Sequence, residues 1–425
     1  MKNFKESGIE WLGEIPEHWE VVKINKIVTF VNGYAFENFD FNPIFEIPVI
    51  RIGDMQKEKI LYDNCLKTKE KEKLKQFLIS NNDILIALSG ATTGKIAFCD
   101  TDNKAYINQR VAIVRSKLKL VKYYFLTRGF SLLIELACNG SAQPNISTKE
   151  IGEFKIPLPP LKEQEQIANF LDEKCKKIAN FIEKKEKLIT LLKEQKQALI
   201  NETITKGLDK NINFKDSGIE WLGEIPQHWR IVKLKYVAFT NIGLVYTPDD
   251  IIENPDEGYP VLRANNIQNG KIDYQDLIYI KSKQIGKKQI ISSGDLLMCV
   301  RNGSENLLGK TAKIQDGYFS FGAFTAIIKS QFNDYFYWIF QTNMLRKSIA
   351  SFSASNGIGQ ISQDDIKNFI ISFPPLKEQE QIAQFLDSEI SKIDAIIEKI
   401  KKQIELIKEY KITLINQAVC GRINL

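Results

Sequence analysis

Histidine is nearly absent from this chain: there are two in 425 residues, beside six cysteines, four methionines and five tryptophans. The cysteines, Cys65, Cys99, Cys138, Cys175, Cys299 and Cys420, are scattered and form no C-x-x-C pair. That excludes a zinc-ligand pattern, so no metal centre is expected and the thiols read as free and mostly buried. No stretch approaches the roughly eighteen apolar residues that span a bilayer, and the opening MKNFKESGIEW lacks the apolar run of a signal peptide. A cytoplasmic chain with no membrane partner is expected.

Catalytic loops are missing as well. An amino-methyltransferase carries an Asn/Asp-Pro-Pro-aromatic loop to receive a flipped base and a glycine-rich loop for its cofactor. Asn42-Pro43-Ile44-Phe45 has the wrong third residue and no companion glycine loop, and reads as a turn leading into a strand. SGATTGKI places three residues between Gly90 and Gly94, and NGSENLLGKT places five between Gly303 and Gly309. A nucleotide P-loop needs four, so both read as connections between strands, with Lys95 and Lys310 free to meet phosphates. Pro248-Asp249 and Pro255-Asp256 have no acid-x-Lys behind them and no counterpart earlier in the chain, which discounts a nuclease.

What the chain does have, it has twice. SGIEWLGEIPEHW at residues 7–19 returns as SGIEWLGEIPQHW at 217–229, changed only at Glu17 against Gln227. PPLKEQEQIANFLDEKCKKI from Pro159 returns as PPLKEQEQIAQFLDSEISKI from Pro374. The chain is two tandem copies of one unit. His18 and His228 hold the same place in each, just before Trp19 and Trp229, and without a partner for catalysis they are assigned a structural role. Four segments follow: globular regions at 1–158 and 208–373, and helical segments at 159–207 and 374–425. With 44% hydrophobic residues, each copy can build a core.

Within the globular regions, apolar runs such as IPVIRI at 47–52, DILIAL at 83–88, AYINQRVAIV at 105–114 and GDLLMCV at 294–300 read as strands. YYFLTRGFSLLIELA from Tyr123 and DYFYWIFQTNMLRKSIA from Asp334 read as one helix per copy. The fold class is α+β, around a curved or barrel-like sheet. After each PPLKEQEQIA the pattern changes to heptads. Leu386, Ile393, Ile400, Ile407 and Leu414 recur every seven residues, with Ile382, Ile396 and Tyr410 on d-like positions. Leu171, Ile178, Leu192 and Leu199 form the equivalent row in the first copy, interrupted by Lys185, with Ile167, Phe181 and Leu188 at d. The paired prolines ahead of each stretch suit helix starts. Two such helices, each carrying the chain away from one globular region, bury their seams most simply as an antiparallel coiled coil, which gives a pseudo-twofold dumbbell with its two globular regions held apart.

Those residues carry a family resemblance. The duplicated SGIEWLGEIPEHW and PPLKEQEQIAxFLD motifs, the strands at Asp83–Leu85 and Gly294–Leu297 and the tandem layout resemble the specificity subunit of type I restriction-modification systems over essentially the whole chain. The resemblance implies two target-recognition domains, each reading half of a bipartite double-stranded DNA target. It implies that the helices set the gap and dock two adenine methyltransferase (modification) subunits, and that ATP-driven restriction subunits join for cleavage. S-adenosylmethionine, ATP and Mg are then expected on the partner subunits and no cofactor on this chain, which is not itself an enzyme.

A net charge of +6 and a pI near 8.7 agree with a polyanionic partner. Candidate DNA contacts are the Lys, Arg, Asn and Gln residues where the copies diverge or turn: Arg51, Lys95, Asn108, Gln109, Arg110, Gln143 and Asn145 in the first copy, and Arg263, Asn265, Arg301, Asn302, Lys310 and Asn356 in the second. Arg51 and Arg263, equivalent in the two copies, suit a shared phosphate or structural contact better than base readout. Two other classes compete. A stand-alone DNA-modifying enzyme is opposed by the missing cofactor loop, and a scaffold that merely holds two partner copies is separated from a DNA reader by salt-dependent, sequence-selective binding.

Overall fold

The computed structural model of the chain describes residues 3–9, 11–56, 58–100, 102–138, 144–220, 222–301, 308–343 and 360–423. It divides into two compact units, residues 1–185 with 401–425, and residues 186–400. Each unit thus takes one globular region and part of each long helix.

The two units repeat one topology. In the first, the hairpin Phe4–Glu6 with Glu14–Pro16 leads into Glu20–Lys23, which pairs antiparallel with Lys155–Leu158 just ahead of the first long helix. A four-stranded antiparallel sheet runs in the order Ile96–Phe98, Ile84–Ala87, Val111–Arg115, Thr29–Asn32. Beside it Ile47–Ile50 pairs parallel with Tyr106–Ile107 and antiparallel with Leu66–Thr68. The second unit repeats this with Arg230–Lys233 on Ile370–Phe373, a four-stranded sheet of Phe239–Ile242, Thr325–Lys329, Leu296–Cys299 and Thr311–Lys313, and Tyr259–Leu262 parallel to Tyr318–Phe321. The central strands are buried on both faces, which is why they read as continuous apolar runs rather than alternating ones.

AYINQRVAIV is not one strand. Tyr106–Ile107 belongs to one sheet and Val111–Arg115 to the other, so Asn108-Gln109-Arg110 turn at the crossing. Gly33 makes this possible: a Cβ there would sit 2.1 Å from the Asn108 carbonyl oxygen, and at the equivalent Gly243 it would sit 2.2 Å from that of Gly322. Nor is YYFLTRGFSLLIELA one helix. It breaks into Val121–Tyr124 and Arg128–Cys138 at buried Thr127, whose hydroxyl donates to the Tyr124 carbonyl (2.7 Å) and accepts from the Phe130 N–H (3.1 Å). The second copy has a helix at Asn333–Phe340 that stops the same way, Thr342 donating to the Ile339 carbonyl at 2.6 Å; residues 344–350 of the expected helix lie outside the described residues.

The long helices run over Leu161–Lys206 and Leu376–Val419. In the first unit Ile167, Ala168 and Leu171 share a core with Trp19 and Tyr124, and Leu414, Ile415 and Val419 from the end of the other helix join it. In the second unit Leu192, Leu199 and Ile200 pack with Ile382, Leu386, Ile390 and Ile393, and Lys196 Nζ meets Asp394 Oδ1 at 2.6 Å. Starts pack on ends, so the helices pair antiparallel.

Of the expected d positions, Ile167 and Ile382, near the helix starts, are buried, but beyond them the phase of the seam differs from the expected one. The rows through Leu171 and Ile178 and through Leu386, Ile393, Ile400 and Leu414 face inward, with Ile407 half-buried. Their companions lie four residues on, at Cys175, Ile182 and Ile189 and at Ile390, Ile397 and Ile404. Phe181, Leu188, Ile396 and Tyr410, placed at d three residues on, are exposed: Ile396 is 46% accessible beside Ile397 at 5%. A heptad row accepts a companion at either i+3 or i+4; the row three on is broken by Lys174, Glu389 and Gln403, whereas the row four on is apolar at every one of these positions, which is why it turns inward. Ile397→Ala should therefore cost about 2–5 kcal/mol through its cavity, whereas Ile396→Ala should stay within about 0.5 kcal/mol. Thermal unfolding of the two variants side by side checks the phase, a larger loss for Ile396→Ala reversing it.

Both helices are fastened by the duplicated motifs. Glu163, in the first turn of the first long helix, receives His18 Nε2 at 2.6 Å on one oxygen and the Trp19 indole N–H at 3.0 Å on the other. Glu378 is held by His228 at 2.7 Å and Trp229 at 2.9 Å in the same way. Gln164 and Gln379 donate back to the carbonyls of Pro159 and Pro374, at 2.6 and 2.7 Å. The assigned structural role of the two histidines is what this geometry provides.

Candidate nucleic-acid interface

The Asn108-Gln109-Arg110 turn gathers several sequence candidates at one edge of the first unit. Asn108 N–H donates to the Ile50 carbonyl at 2.9 Å, which sets the turn beside Arg51. Leu88 N–H donates to the Arg110 carbonyl at 2.9 Å, and Ile146 N–H to the Leu88 carbonyl at 2.9 Å, which brings up Ser89 and Asn145. Gln109, Arg110 and Asn145 are exposed, and Asn108 and Arg51 half-buried. Every link is main chain to main chain, so the edge keeps its shape whatever side chains it carries.

The second unit makes the same bonds with other side chains. Gly322 N–H donates to the Leu262 carbonyl (2.9 Å), Val300 to Phe324 (2.9 Å) and Ile361 to Val300 (2.8 Å). Position by position, Asn108-Gln109-Arg110 is replaced by Gly322-Ala323-Phe324, Ser89 by Arg301, Asn145 by Gln360 and Gly53 by Asn265. Arg301 lays its guanidinium over the Phe324 ring, 5.1 Å from the centroid, and Arg263, Asn265 and Phe324 line a cleft of about 540 Å³. The aromatic went unremarked in the sequence. Setting FSFGAFTAII against AYINQRVAIV, strand on strand, is the signal that finds it.

Arg51 and Arg263 occupy one backbone position in two electrostatic settings. Arg51 Nε pairs with Asp54 Oδ2 at 3.3 Å, and that carboxylate, 5% exposed, also caps the local turn through the Arg51 N–H at 2.9 Å. In the second unit Asn266 takes the carboxylate's place and keeps only the cap, to Arg263 N–H at 2.9 Å. Arg263 donates one terminal N–H to the Asp276 carbonyl at 2.8 Å, while its buried Nε has no hydrogen-bond partner. Among the described residues the second arginine therefore meets no carboxylate that would balance its charge at the cleft.

Lys95 and Lys310 lie further back, half-buried in the connections after the Ile84–Ala87 and Leu296–Cys299 strands, where their carbonyls accept from Ala87 and Cys299. The first connection is a tight hairpin closed by Thr93, whose hydroxyl lies 2.7 Å from the Gly90 carbonyl, with Gly90 and Gly94 both at positive φ; a strand follows it where a P-loop leads into a helix. Asn42-Pro43-Ile44-Phe45 is a turn closed by Phe45 N–H on the Asn42 carbonyl at 3.0 Å, just ahead of the Ile47–Ile50 strand. Gln143, Asn302 and Asn356 lie outside the described residues. The six cysteines form no disulfide with one another, and burial pushes the Cys65 and Cys99 thiols up to about 12. Among the described residues no helix is long and apolar enough to cross a membrane.

The difference between the two arginines is measurable on a polyanion. If Arg263 meets a phosphate, Arg263→Gln should reduce the slope of log K against log salt for duplex DNA by about 0.9, the contribution of one contact. Arg51→Gln should leave that slope unchanged, because Asp54 already balances its charge. Titrations at several salt concentrations decide, and equal effects would remove the distinction.

Comparison with known proteins agrees with this architecture. The family model described as the type I restriction modification DNA specificity domain matches twice, at residues 16–202 and 226–406. The chain is 26% identical over 444 residues to the type I restriction enzyme MjaVIII specificity subunit of Methanocaldococcus jannaschii, covering 100% of this chain and 96% of that one. It is 29% identical over 206 residues to the EcoKI specificity subunit of Escherichia coli, covering 47% of this chain and 44% of the relative. In fold it is similar to a chain from a structure of a type I R-M system (TM-score 0.72, 15% identity, 96% of this chain and 99% of that one). It is also similar to the HsdS subunit from Thermoanaerobacter tengcongensis (TM-score 0.54, 16% identity, 96% and 98%). With two specificity domains in tandem over most of its length, the chain belongs to the type I restriction-modification DNA specificity family, as a specificity subunit.

Proposed function

We propose that each globular region reads one half of a bipartite double-stranded DNA target, and that the paired helices set the gap and dock two adenine methyltransferase (modification) subunits. The observation that carries this reading is the contrast within the duplication. Backbone bonds around Asn108-Gln109-Arg110 and Gly322-Ala323-Phe324 are the same one by one, while the side chains they display differ in charge, size and polarity. A scaffold holding two copies of one partner has no use for that contrast. Two readers of different half-targets require it, since base identity is read by side chains in the groove. Asn108, Gln109, Arg110 and Asn145 are the first reader's candidates, and Asn265 and Arg301 the second's; Arg51, Arg263, Lys95 and Lys310 are the candidates for phosphates.

Docking of the modification subunits is supported by the apolar side chains left off the seam. Phe181, Leu188, Ile396 and Tyr410 are exposed on helices whose other outward residues are largely charged. The chain is then a non-catalytic cytoplasmic component: S-adenosylmethionine is used by the modification subunits, and ATP and Mg by the restriction subunits that join for cleavage.

The test is reconstitution with the modification subunits and mapping of methylated adenines. Exchanging residues 21–150 for the corresponding region of a relative should change one half of the methylated target and leave the other, and the chain alone should transfer no methyl group. A change in both halves would defeat independent reading. A second measurement addresses the gap. One heptad added to each long helix at facing positions lengthens the pair by about 10 Å and keeps the seam in register. At about 3.4 Å per base pair the gap should grow by up to roughly three pairs. An active variant that keeps the original gap would leave the helices as docking surface only.

A further inference from the structure

The cleft beside Phe324 differs in kind from the edge it replaces. Its walls are Leu244, Val245, Ala264 and Phe324, with Arg263 and Asn265 on the polar side. Val245 is 82% accessible and Phe324 53%, so two large apolar groups are held open where the first unit shows Ala35 and Arg110. Neither is needed by the core: the inward residues of these strands, Leu262, Phe321 and Ile327, are fully buried without them.

Resting on the reading above, in which this edge faces the DNA, we propose that the cleft is a thymine-reading site: Phe324 and Val245 pack against the 5-methyl group of one thymine in the second unit's half-target. The major groove offers hydrogen-bond donors and acceptors on every base pair but a single apolar group, the thymine methyl. An apolar cleft on a readout edge has that one complement. A wedge inserted between base steps is the other way an exposed aromatic acts on DNA, and it needs its ring faces free. Here Arg301 already covers one face of Phe324, 5.1 Å from the ring centroid, while Phe324 also lines the cleft. Asn265, exposed at the rim, is placed to bond the polar atoms of the same or the adjacent pair. The first unit, with Arg110 and Gly53 at the corresponding positions, has no such site, so dependence on a thymine methyl should be confined to one half of the target.

The experiment changes the DNA before it changes the protein. With the target mapped, the complex of this chain and its modification subunits is titrated against duplexes in which each thymine of the second half-target is replaced singly by deoxyuridine, which removes only the methyl. One replacement should weaken binding about fourfold, the worth of one buried methyl-sized group. Phe324→Ala should bind the thymine and deoxyuridine duplexes equally, and Phe324→Leu should keep a reduced preference. A half-target without thymine, indifference to every replacement, or undiminished methyl dependence in Phe324→Ala would each overturn the site. Loss of selectivity for the first half-target as well, or no selective binding at all, would instead count against the two-reader proposal.

Discussion

One carboxylate per unit ties the globular region to its helix. Glu163 places both oxygens under a His-Trp pair, and Glu378 does the same two hundred residues later. The acceptor lies in the first turn of a long helix, where a negative charge also suits the unsatisfied N–H groups and the positive end of the helix dipole. The tryptophan has a second neighbour. Gly421, closing the second long helix, sits at φ +73°, and a Cβ there would come 2.5 Å from the Pro16 ring and 3.0 Å from Trp19. Within the second unit, a Cβ on Gly207, which closes the first long helix, would come 3.1 Å from Trp229. Each tryptophan therefore registers the start of one helix and the end of the other, which forces the helices to pair antiparallel. Gly421 closes its helix with the αL glycine of a Schellman motif, Arg422 N–H reaching the Gln417 carbonyl at 2.9 Å.

With the scaffold held that way, the far ends of the strands are free to vary. The turn at Asn108 and its counterpart at Gly322 are formed by a strand that leaves one sheet for the other, and main-chain bonds define both, helped in the second by the Thr325 hydroxyl on the Gly322 carbonyl at 2.7 Å. The displayed side chains take no part in those bonds, so exchanging Arg110 for Phe324 or Ser89 for Arg301 leaves the backbone intact. Arg51 and Arg263 mark the boundary between the two regimes. Both arginines start a short turn capped from three residues on, by Asp54 or by Asn266, and the amide does the capping as well as the carboxylate while changing the charge at the edge. A single Asp/Asn difference thus replaces an Arg–Asp pair with an arginine that, among the described residues, faces no carboxylate at this position, and the capped turn is kept.

Two tandem copies, an α+β class, the helix starts at the paired prolines and the inward heptad rows were all determined by sequence alone, because repeated strings and apolar period are local properties. The exposure of Gln109, Arg110 and Asn265 was legible too, since they are polar residues between apolar runs. Tertiary structure decided the rest. AYINQRVAIV looks continuous because burial on both faces erases alternation, and only its two different sheet partners reveal the turn inside it. Ile396 and Ile397 are adjacent isoleucines that look alike taken singly; the helix packed against them buries Ile397, whose row continues through Ile390 and Ile404, and not Ile396, whose row meets Glu389 and Gln403. The duty of His18 and Trp19 was hidden for the same reason: their partner Glu163 is more than 140 residues away, a distance that no local pattern spans.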